Sequence, residues 1–566
     1  MTLLVGTRAS PLARIQADAV IDRLKAGGMD ARIVPLQTRG DQSLGGDLST
    51  HVGQFVTGLD ARLLNGEVDL TVHSSKDVPT DLAESILQLG LLERSPPHDL
   101  LLFATEREGI PTLEALLDDK LAVTSPIEAL AHLPPNAHIG TVSVRRQAMA
   151  LHLRPDLLPI AVRGAVETRL NRLLEGRADA VLLAEAGLRR LAENSALESH
   201  HLSLSALRLD LSSWPCAPGQ GAIAVHAARD SMHDLETLRE LLDHRPTSRA
   251  VRDERRVLAE LGGGCLAPVA AHVIDDSAYV AVADPSWRVH VARRRAPAVH
   301  RWTGSAESFE PPSWTEITPP EPVLGRRLIT TASSSRLTDE AALDNVNVIH
   351  QRVLDFEVLR DHWPTNVVPE GTPRSSWPWL LLSSPSAARM VIEELDVCPD
   401  LARLPWAALG RGTALAALER GHTVAFCAEA EDGAEFAAAL LKALDPEIPL
   451  LLPRSDQARP ALLEKLKAAG RKVQAWTAYR TMPASVDPIE VEDDDVLLVT
   501  SPSAIRAWHS CGHAVPGHVL CMGEASERAL LDHPEFQDTT VHRLHGPSAE
   551  ALRTWWKTHT EGQEWT

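Results

Sequence analysis

Residues 3–28, LLVGTRASPLARIQADAVIDRLKAGG, contain the pattern on which the prediction of the fold rests. The short apolar run Leu3–Val5 is followed by a turn and then by apolar residues at helical spacing, which predicts a strand, a turn and a helix. Ser10 is a good N-cap, Pro11 suits the first helical position, and Gly27 ends the helix together with the glycine after it. The chain therefore opens with one α/β unit.

The same alternation of strands and helices continues through the first half of the chain. Further apolar strand patterns lie at residues 31–37, 68–72, 160–162, 180–183 and 222–225, with helical stretches between them. Such alternation predicts parallel or mixed sheets with helices on both faces. A charged amphipathic helix begins near Thr247 and runs into a glycine-rich turn, and a strand-rich stretch follows to about Arg295.

A proline-rich segment at residues 297–325 marks the main boundary. It contains prolines at positions 297, 311, 312, 319, 320 and 322 among polar residues, which predicts an extended tether. Beyond it a new strand and helix alternation begins at Arg327. Residues 380–395, LLLSSPSAARMVIEEL, and residues 496–510, VLLVTSPSAIRAWHS, each read as strand, Ser-Pro-Ser turn and helix, which indicates two similar α/β lobes.

Composition limits the classes of function. A chain of 566 residues is long enough for several domains, and the formal net charge of −20 argues against a general polyanion binder. Anionic ligands must then be bound by local clusters. The six cysteines have no paired metal-type spacing, so neither a zinc site nor a disulfide framework is indicated. Neither a secretory signal nor an apolar span is evident, and we expect a cytoplasmic enzyme.

The pair Lys76-Asp77 follows directly after a predicted strand. Strand ends are where α/β proteins bind ligands, so one interpretation is a carboxylate held beside a cation in a cleft. The alternative is an ordinary solvated turn.

Arginines and hydroxyl residues recur at the predicted starts of helices. Helix N-termini offer unpaired N–H groups, and arginine adds a fork that suits carboxylates, so the set predicts a carboxylate-binding site. The alternative for each arginine taken singly is a surface ion pair. The set consists of Arg8, Ser10, Thr141, Ser143, Arg145, Arg146, Arg163 and Arg169.

Cys265 follows three glycines just beyond the amphipathic helix. Glycines allow the backbone to bring the thiol into a cleft, where a nearby cation would favour the reactive thiolate. The alternative is a small buried hydrophobic residue. Cys216, between Pro215 and Ala217, lacks such a setting, and we interpret it as structural.

Six ordered segments resemble hydroxymethylbilane synthase (porphobilinogen deaminase) over residues 1–295. They are GTRASPLA, TRGD at residues 38–41, HSSKDVP, GTVSVRRQ, PGQGA at residues 218–222, and GGGCLAPV. The resemblance implies a dipyrromethane cofactor bound to Cys265 by a thioether, with Asp77 as the catalytic carboxylate assisted by Lys76. It also implies that Lys76, together with the arginine and hydroxyl set, binds the acetate and propionate groups of cofactor and substrate. The loop at residues 53–58, including Thr57, departs from the family pattern, as do Ala165 and Glu167.

The second half resembles uroporphyrinogen-III synthase over about residues 324–556. The segments that carry the resemblance are LSSPSAA at 382–388, LGRGTALAALERG at 409–421, residues 450–473, AYRT at 478–481 and TSPSAIRAW at 500–508. By resemblance, Tyr479 helps the substrate hydroxyl to leave, and Ser384, Thr413 and Ser501 bind carboxylates. The alternative role for Tyr479 is packing between lobes. Thr331 stands where the family often has arginine.

We predict an α/β architecture of two periplasmic-binding-protein-like lobes plus a small α+β domain, followed by a two-lobed Rossmann-like α/β half. The predicted boundaries are 1–92 and 204–226 for deaminase domain 1, 93–203 for domain 2, 227–296 for domain 3, 297–325 for the linker, 326–358 with 485–558 for synthase lobe 1, and 359–484 for lobe 2.

The predicted function is the condensation of four porphobilinogen molecules to hydroxymethylbilane and its cyclisation to uroporphyrinogen III by a monomer. The partners are then small molecules, with no metal, nucleic acid or membrane. Two alternatives remain open: an active deaminase with an inert second half, and a noncatalytic two-lobed protein that binds carboxylates. Cys265 separates the last alternative from the others, because a passive binder needs no cofactor-bearing thiol.

Overall fold

The computed structural model describes most of the chain. The described residues are 2–36, 54–118, 122–262, 267–314, 326–332, 335–344, 346–368, 372–373, 376–430, 432–546 and 548–560. Among the residues that the sequence singles out, Cys265, the segment Thr38–Asp41 and Gly53 lie outside this range.

The first lobe is a five-stranded sheet in the order β2-β1-β3-β10-β4. Its strands are β1 (Leu3–Arg8), β2 (Ala31–Leu36), β3 (Leu70–Ser74), β4 (Ile86–Leu91) and β10 (Ile223–Ala228), and its helices are α1 (Pro11–Ala26), α2 (Gln54–Leu64) and α9 (Leu235–Leu242). The predicted opening unit is confirmed, because Ser10 caps α1 by accepting a 3.4 Å hydrogen bond from the Ala13 N–H and Pro11 is the first helical residue. Helix α9 packs in this core through Leu238 and Leu242, although we predicted it in domain 3.

The second lobe repeats this sheet pattern in the order β7-β6-β8-β5-β9. Its strands are β5 (Asp99–Phe103), β6 (His138–Gly140), β7 (Leu158–Ile160), β8 (Ala180–Ala184) and β9 (Ser205–Arg208). Its helices are α3 (Leu113–Asp118), α4 (Pro126–Ala131), α5 (Val144–Leu153), α6 (Val166–Leu174), α7 (Glu185–Glu193) and α8 (Ser199–Leu202). In both sheets the first three strands are parallel and the last two pairings are antiparallel.

The return of the chain to the first lobe begins later than predicted. We expected residues 204–226 in domain 1, but β9 pairs with β5 in the second sheet, from Leu100 opposite Arg208 to Phe103 opposite Ser205. Only β10 enters the first sheet. The two lobes are thus connected twice, once between β4 and β5 and once between β9 and β10.

The third domain is a three-stranded antiparallel sheet with helices against it. It contains α10 (Arg245–Glu260), β11 (Val269–Ile274), β12 (Ser277–Ala283), α11 (Trp287–Ala292) and β13 (Val299–Gly304). Strand β13 lies inside the predicted linker, so the first part of residues 297–325 is not an extended tether. Its Trp302 packs edge-on against Phe309, with ring centroids 5.4 Å apart, and both join the domain core.

The second half contains two α/β lobes, as predicted. The sheet of its lobe 1 has the order β15-β14-β22-β23-β24 and that of lobe 2 the order β16-β21-β20-β17-β18-β19. Lobe 1 contains β14 (Arg326–Thr330), β15 (Val346–His350), β22 (Val496–Val499), β23 (His518–Cys521), β24 (Thr540–Arg543), α12 (Arg336–Ala341), α18 (Pro502–Ser510), α19 (Glu524–Leu531) and α20 (Ala549–Thr560).

Lobe 2 is formed by the chain between the two parts of lobe 1. It contains β16 (Leu354–Val358), β17 (Trp379–Leu382), β18 (Trp406–Ala408), β19 (Phe426–Cys427), β20 (Leu450–Ser455), β21 (Val473–Pro483), α13 (Pro385–Glu393), α14 (Asp400–Arg403), α15 (Arg411–Glu419), α16 (Gly433–Ala443) and α17 (Ala461–Ala468). Strand β16 pairs antiparallel with β21, so residues 354–358 belong to the sheet of lobe 2 and not, as predicted, to lobe 1.

The cores of the two halves meet. One apolar cluster runs from Leu102 in the second lobe through Trp287 in α11 to Leu415 in α15 and Leu382 in β17. Burial of a shared apolar surface holds domains together more firmly than a tether does. Within the described part of the chain, every helix is too short or too polar to span a bilayer.

Candidate functional site

The Lys76-Asp77 pair lies in a tight turn at the end of β3. Residues Ser75–Asp77 form one turn of 3-10 helix, in which Asp77 is exposed and Lys76 half-buried. The buried Ser75 donates its N–H to the Ala222 carbonyl at 3.0 Å. Gly219 stands against it with φ +75°, and a Cβ there would lie 2.6 Å from the Ser75 Oγ. The PGQGA segment therefore shapes the turn that presents Lys76 and Asp77.

Positive charge is concentrated around this turn. Burial lowers the pKa of Lys76 to about 8; Asp77 and Asp99 oppose this shift, whereas Arg146 and Arg169 add to it. Burial, followed by repulsion from Arg146 and Arg8, likewise lowers the pKa of Arg169 to about 10, against the attraction of Asp77. The structure thus brings together six residues from five separate segments of the sequence, and their excess of cations suits an anionic ligand.

Arg145 and Arg146 point into the protein and share one carboxylate. The Nη2 atoms of Arg145 and Arg146 donate to the two oxygens of Asp99 at 2.7 and 2.6 Å. Trp214 Nε1 and Gln220 Nε2 also donate to Asp99, at 2.9 and 2.8 Å. Burial opposes ionisation of Asp99, but the two arginines outweigh it and hold its pKa well below the usual range. The described contacts of both arginines are therefore internal.

The hydroxyl residues lie at helix starts. Ser143 caps α5 by accepting from the Arg146 N–H at 3.5 Å, and Thr141 Oγ1 accepts from the Ser143 N–H at 3.2 Å. Arg169 lies in α6, and its Nε donates to the Gly164 carbonyl at 2.9 Å. Arg163 is half-buried in the turn before that helix. These residues follow β6 and β7, whose carboxyl ends lie side by side because the two strands are parallel.

Helix α10, which precedes Cys265 in the chain, contacts the chain directly after the Lys76-Asp77 turn. Arg255 Nη1 donates to the Val78 carbonyl at 3.0 Å, and its Nη2 donates to the Pro79 carbonyl. The helix ends at Glu260, five positions before Cys265. The structure thus ties the helix leading to this cysteine to the two residues that follow Asp77.

A buried ionic cluster joins the third domain to the two segments that connect the first and second lobes. The Glu254 carboxylate accepts from Arg94 Nη1 at 2.6 Å, from the Gly219 N–H at 2.8 Å and from the Val273 N–H at 2.9 Å. His272 Nδ1 lies 3.1 Å from Glu254 Oε1. Burial opposes the charge on Glu254, but Arg94 and His272 lower its pKa to about 2.

Cys216 belongs to the same cluster, which corrects our interpretation of its setting. Its sulfur lies 3.6 Å from Arg94 Nη2 and 3.7 Å from His272 Nδ1, so cationic groups face a thiol for which the sequence indicated none. Burial alone would lower the pKa of His272, but Cys216 and Glu254 raise it to about 9. Cys216 is fully buried, which agrees with a structural role.

A second buried network lies beneath the turn. Asp60 accepts hydrogen bonds from Thr71 Oγ1 at 2.7 Å, from His73 Nε2 at 2.9 Å and from His226 Nδ1 at 3.0 Å. The ligand atoms of Asp60, His73 and His226 are close enough to share a metal ion. Their spacing is that of ordinary hydrogen bonds, and Asp60 in this way links α2, β3 and β10.

Sequence reasoning missed Asp99 and Glu254. Both are charged residues in otherwise apolar positions: Asp99 begins the buried run of β5, and Glu254 shares the buried face of α10 with Val251 and Val257. A carboxylate on an apolar face must be paired, and this was the signal that could have identified both residues.

In the second half, Tyr479 and Ser384 come together. Ser384 caps α13, and its side chain is hydrogen-bonded to Tyr479. Burial raises the pKa of the Tyr479 hydroxyl, and this hydrogen bond reduces the increase without cancelling it. The ring is 4% exposed and packs edge-on against Phe356 at 5.7 Å. Tyr479 is therefore both a packed residue and a hydrogen-bonded one.

The other residues predicted for the second site lie at helix starts. Thr413 is in the first turn of α15, and Ser501 caps α18 by accepting from the Ala504 N–H at 3.2 Å. Helix α18 belongs to lobe 1, and its Arg506 donates to Gln457 of lobe 2 at 3.2 Å. Thr331, where arginine was expected, is buried and accepts from the Thr500 N–H at 3.3 Å.

Comparison with known families covers both halves. Residues 3–236 match the family described as "Porphobilinogen deaminase, dipyromethane cofactor binding domain". Residues 353–542 match "Uroporphyrinogen-III synthase HemD".

Individual relatives agree with the first match. Porphobilinogen deaminase of Pelobacter propionicus is 36% identical over 274 residues, which are 48% of this chain and 78% of the relative. That of Geobacter sulfurreducens is 38% identical over 274 residues, or 48% of this chain and 76% of the relative.

Solved structures resemble parts of the chain at low identity. The uroporphyrinogen-III synthetase of Helicobacter pylori is 15% identical, covers 41% of this chain and 99% of its own, and has a TM-score of 0.29. An arginine transport system periplasmic binding protein of Legionella pneumophila is 12% identical. The match covers 43% of this chain and 92% of that protein, with a TM-score of 0.25.

The predicted α/β class and division are confirmed: two lobes with the same five-stranded sheet pattern and a small domain precede a two-lobed α/β half. The relatives share over a third of their residues with the first half across more than two thirds of their length. The chain belongs to the porphobilinogen deaminase family and also carries a uroporphyrinogen-III synthase domain, which makes it a bifunctional enzyme of tetrapyrrole biosynthesis.

Proposed function

We propose that the first half condenses four porphobilinogen molecules to hydroxymethylbilane, with release of ammonia, on a dipyrromethane that Cys265 holds by a thioether bond. The second half then cyclises this product to uroporphyrinogen III with inversion of the last ring. The observation that carries the proposal is the Lys76-Asp77 turn, which lies among cations and is tied by Arg255 to the helix that leads to Cys265.

The residues around the turn fit a dipyrromethane, whose pyrrole rings bear acetate and propionate groups. Arg145 and Arg146 share the single carboxylate of Asp99, so that one negative charge faces two positive ones. Carboxylates bound here would offset the remaining positive charge. When bound, the cofactor supplies the free pyrrole to which each new unit is joined.

Lys76 and Asp77 have different roles where the incoming pyrrole unit is joined. The Lys76 ammonium binds a carboxylate of the incoming unit and holds its ring in place. The exposed Asp77 carboxylate accepts hydrogen bonds from pyrrole N–H groups and stabilises the positive charge that develops on pyrrole nitrogen as ammonia leaves. It also takes up the proton that restores the aromatic ring.

The remaining residues of the first site either bind carboxylates directly or hold the site in position. The residues assigned to direct binding are Arg8, Ser10, Thr141, Ser143, Arg163 and Arg169. Arg145 and Arg146, through their shared Asp99, hold α5 and its capped first turn in position, because each guanidinium is bound on the inner side. Each of the two also keeps a buried Nε with no partner among the described residues. Arg146 still contributes positive charge to the site.

In the second half, Tyr479 is the proposed acid that assists departure of the substrate hydroxyl. A raised pKa keeps its proton in place at neutral pH, so the group can donate a hydrogen bond. Ser384, Thr413 and Ser501 lie at helix starts, where backbone N–H groups and hydroxyls bind carboxylates. The enzyme acts, by the same proposal, as a cytoplasmic monomer on small molecules, with no nucleic acid or membrane partner.

Intact-protein mass spectrometry tests the covalent bond. The purified enzyme should carry the mass of one dipyrromethane, and Cys265→Ser should lose both this mass and the consumption of porphobilinogen. Cys511→Ser is the matched control, because Cys511 is a half-exposed thiol of the second half. An adduct that survives in Cys265→Ser contradicts the proposal.

Product analysis tests the second half. The complete enzyme supplied with porphobilinogen should form the type III cyclic isomer. Type I alone would mean that the second half is inert, and unconsumed porphobilinogen with no adduct would favour a binding protein.

A further inference from the structure

Helix α15 of the second half is packed against the deaminase. Its Leu415 and Leu418 are buried in the same apolar cluster as Trp287 and Val291 of α11. Such a contact excludes water from both surfaces and favours a single arrangement of the two helices. Helix α15 is also the element whose first turn contains Thr413, a proposed carboxylate-binding residue of the second site.

Arg411 anchors the start of α15 to the second deaminase lobe. Its Nη1 donates to the Asn136 carbonyl at 3.0 Å, and its Nη2 donates to the Asp156 carbonyl. These carbonyls precede β6 and β7. The guanidinium, two residues before Thr413, is therefore directed at the deaminase by these two bonds.

The segment just after α15 forms the second anchor. The Val424 carbonyl accepts from the Ala161 N–H at 2.8 Å. Thr423 Oγ1 accepts from Gln147 Nε2 at 3.1 Å, and the same Nε2 lies 2.9 Å from the Thr141 carbonyl oxygen. Both contacts reach the deaminase at the ends of β6 and β7.

These anchors lie beside the proposed carboxylate-binding turns of both sites. Ala161 is two residues before Arg163, and Gln147 bonds directly to the backbone of Thr141. At the other end, Arg411 belongs to the turn that presents Thr413. One helix, held at both ends, thus connects the binding turns of the two enzymes.

We infer that α15 is a strut between the two active sites, and that Arg411 and Thr423 are positioning residues that hold the Thr413 turn of the synthase against the deaminase. The inference rests on the proposed role of Thr413. Neither positioning residue contacts substrate in this scheme, and each acts through the placement of the helix. Loss of either anchor leaves the turn less ordered, so binding of hydroxymethylbilane weakens while the chemistry of the bound molecule is retained.

Arg411→Ala and Thr423→Val, made in the full chain, test the inference. The KM for added hydroxymethylbilane should rise roughly tenfold, with kcat changed by less than about twofold, because the anchors order the empty site and take no part in the reaction. Consumption of porphobilinogen should be unchanged. Thr423→Ser, which keeps the hydroxyl, should restore the KM. Arg528→Ala is the matched control, since Arg528 is exposed on α19 and pairs only with Glu524 among the contacts described for it.

Hydrogen exchange at the Ala161 amide provides a readout that is independent of activity. Exchange should become faster in Arg411→Ala and Thr423→Val and stay unchanged in Arg528→Ala, because the amide is bonded to Val424 only while the halves are docked. If the KM and the exchange rate of both anchor variants equal those of Arg528→Ala, the inference is wrong. If the unaltered enzyme makes no uroporphyrinogen III from hydroxymethylbilane, the proposed function of the second half fails, and the exchange rate at Ala161 alone decides whether α15 is anchored.

Discussion

The Arg255 Nη1 atom donates a 3.0 Å hydrogen bond to the carbonyl oxygen of Val78, the residue directly after Asp77. A second bond from the same guanidinium reaches Pro79. Helix α10, which carries Arg255, ends five residues before Cys265. The helix leading to the proposed cofactor thiol and the loop with the proposed catalytic carboxylate are therefore held together directly.

Arg255→Ala should slow the deaminase about tenfold or more in kcat, because it frees the Asp77 turn from α10 and loses hydrogen bonds from a charged donor. Steady-state rates of porphobilinogen consumption measure the effect. Arg249→Ala is the control, since Arg249 lies on the same helix in an exposed ion pair with Asp276. Equal rates in the two variants would show that the link has no part in catalysis.

The KM for porphobilinogen should rise as the pH passes through about 8, where Lys76 loses its proton. Burial lowers the pKa of this ammonium, so the cation that binds substrate carboxylate is present below pH 8 and lost above it. Lys76→Arg keeps its charge and should bind porphobilinogen with little change in KM across this range. A KM that rises equally in both proteins excludes Lys76 as the titrating group.

The junction between the third domain and the two connecting segments should lose stability as the solution becomes alkaline. The pKa of His272 is raised from 6.5 to about 9, so its contribution to the free energy of unfolding is complete below pH 6.5 and disappears as the pH rises through about 9. The shift corresponds to an upper limit of about 3 kcal/mol. Calorimetric unfolding temperatures measured across this range should fall less steeply in His272→Gln than in the unaltered enzyme; parallel curves would contradict the assignment.

Gly219→Ala should distort the Lys76-Asp77 turn and reduce deaminase activity severely, with a loss of about 1–3 kcal/mol in the free energy of unfolding. The added Cβ would lie 2.6 Å from the Ser75 Oγ, at a φ of +75°. Gly66→Ala separates the two causes, because Gly66 has a similar φ of +69° but open space around it. If both variants have the same deaminase activity, the contact between the added Cβ and Ser75 does not disturb the turn. Backbone strain alone then accounts for the loss of stability.

Tyr479→Phe should lower the kcat of the second reaction by roughly tenfold to a hundredfold while leaving the melting temperature nearly unchanged. Phenylalanine keeps the contact with Phe356 and removes only the hydroxyl that bonds to Ser384. Formation of type III isomer from added hydroxymethylbilane is the measurement. An unaffected rate would leave Tyr479 as a packing residue.

Local signals in the sequence predicted the α/β units well. Ser10, Ser384 and Ser501 each cap the helix that the sequence places after them, because an N-cap depends only on the next three residues. The resemblance between residues 380–395 and 496–510 also holds in three dimensions, since both form strand, cap and helix.

Features that depend on distant partners were harder to predict. Prolines on both sides of β13 suggested a tether, yet residues 299–304 pair with β12 and bury Trp302 against Phe309. Arg145 and Arg146 read as ligand-binding residues, and no local pattern shows that Asp99, 46 positions away from Arg145, accepts their bonds. The sequence shows that an arginine needs an anionic partner, but it does not show whether that partner is a ligand or another residue of the protein.

Strand β10 lies between β3 and β4, although in the chain it follows β4 by about 130 residues and β3 by about 150. A nascent chain leaving the ribosome therefore cannot complete the first sheet until residue 228 has emerged, whereas the second sheet needs nothing beyond β9. Since domains fold as their segments become available, we expect the lobe that comes second in the sequence to be the first to acquire its core.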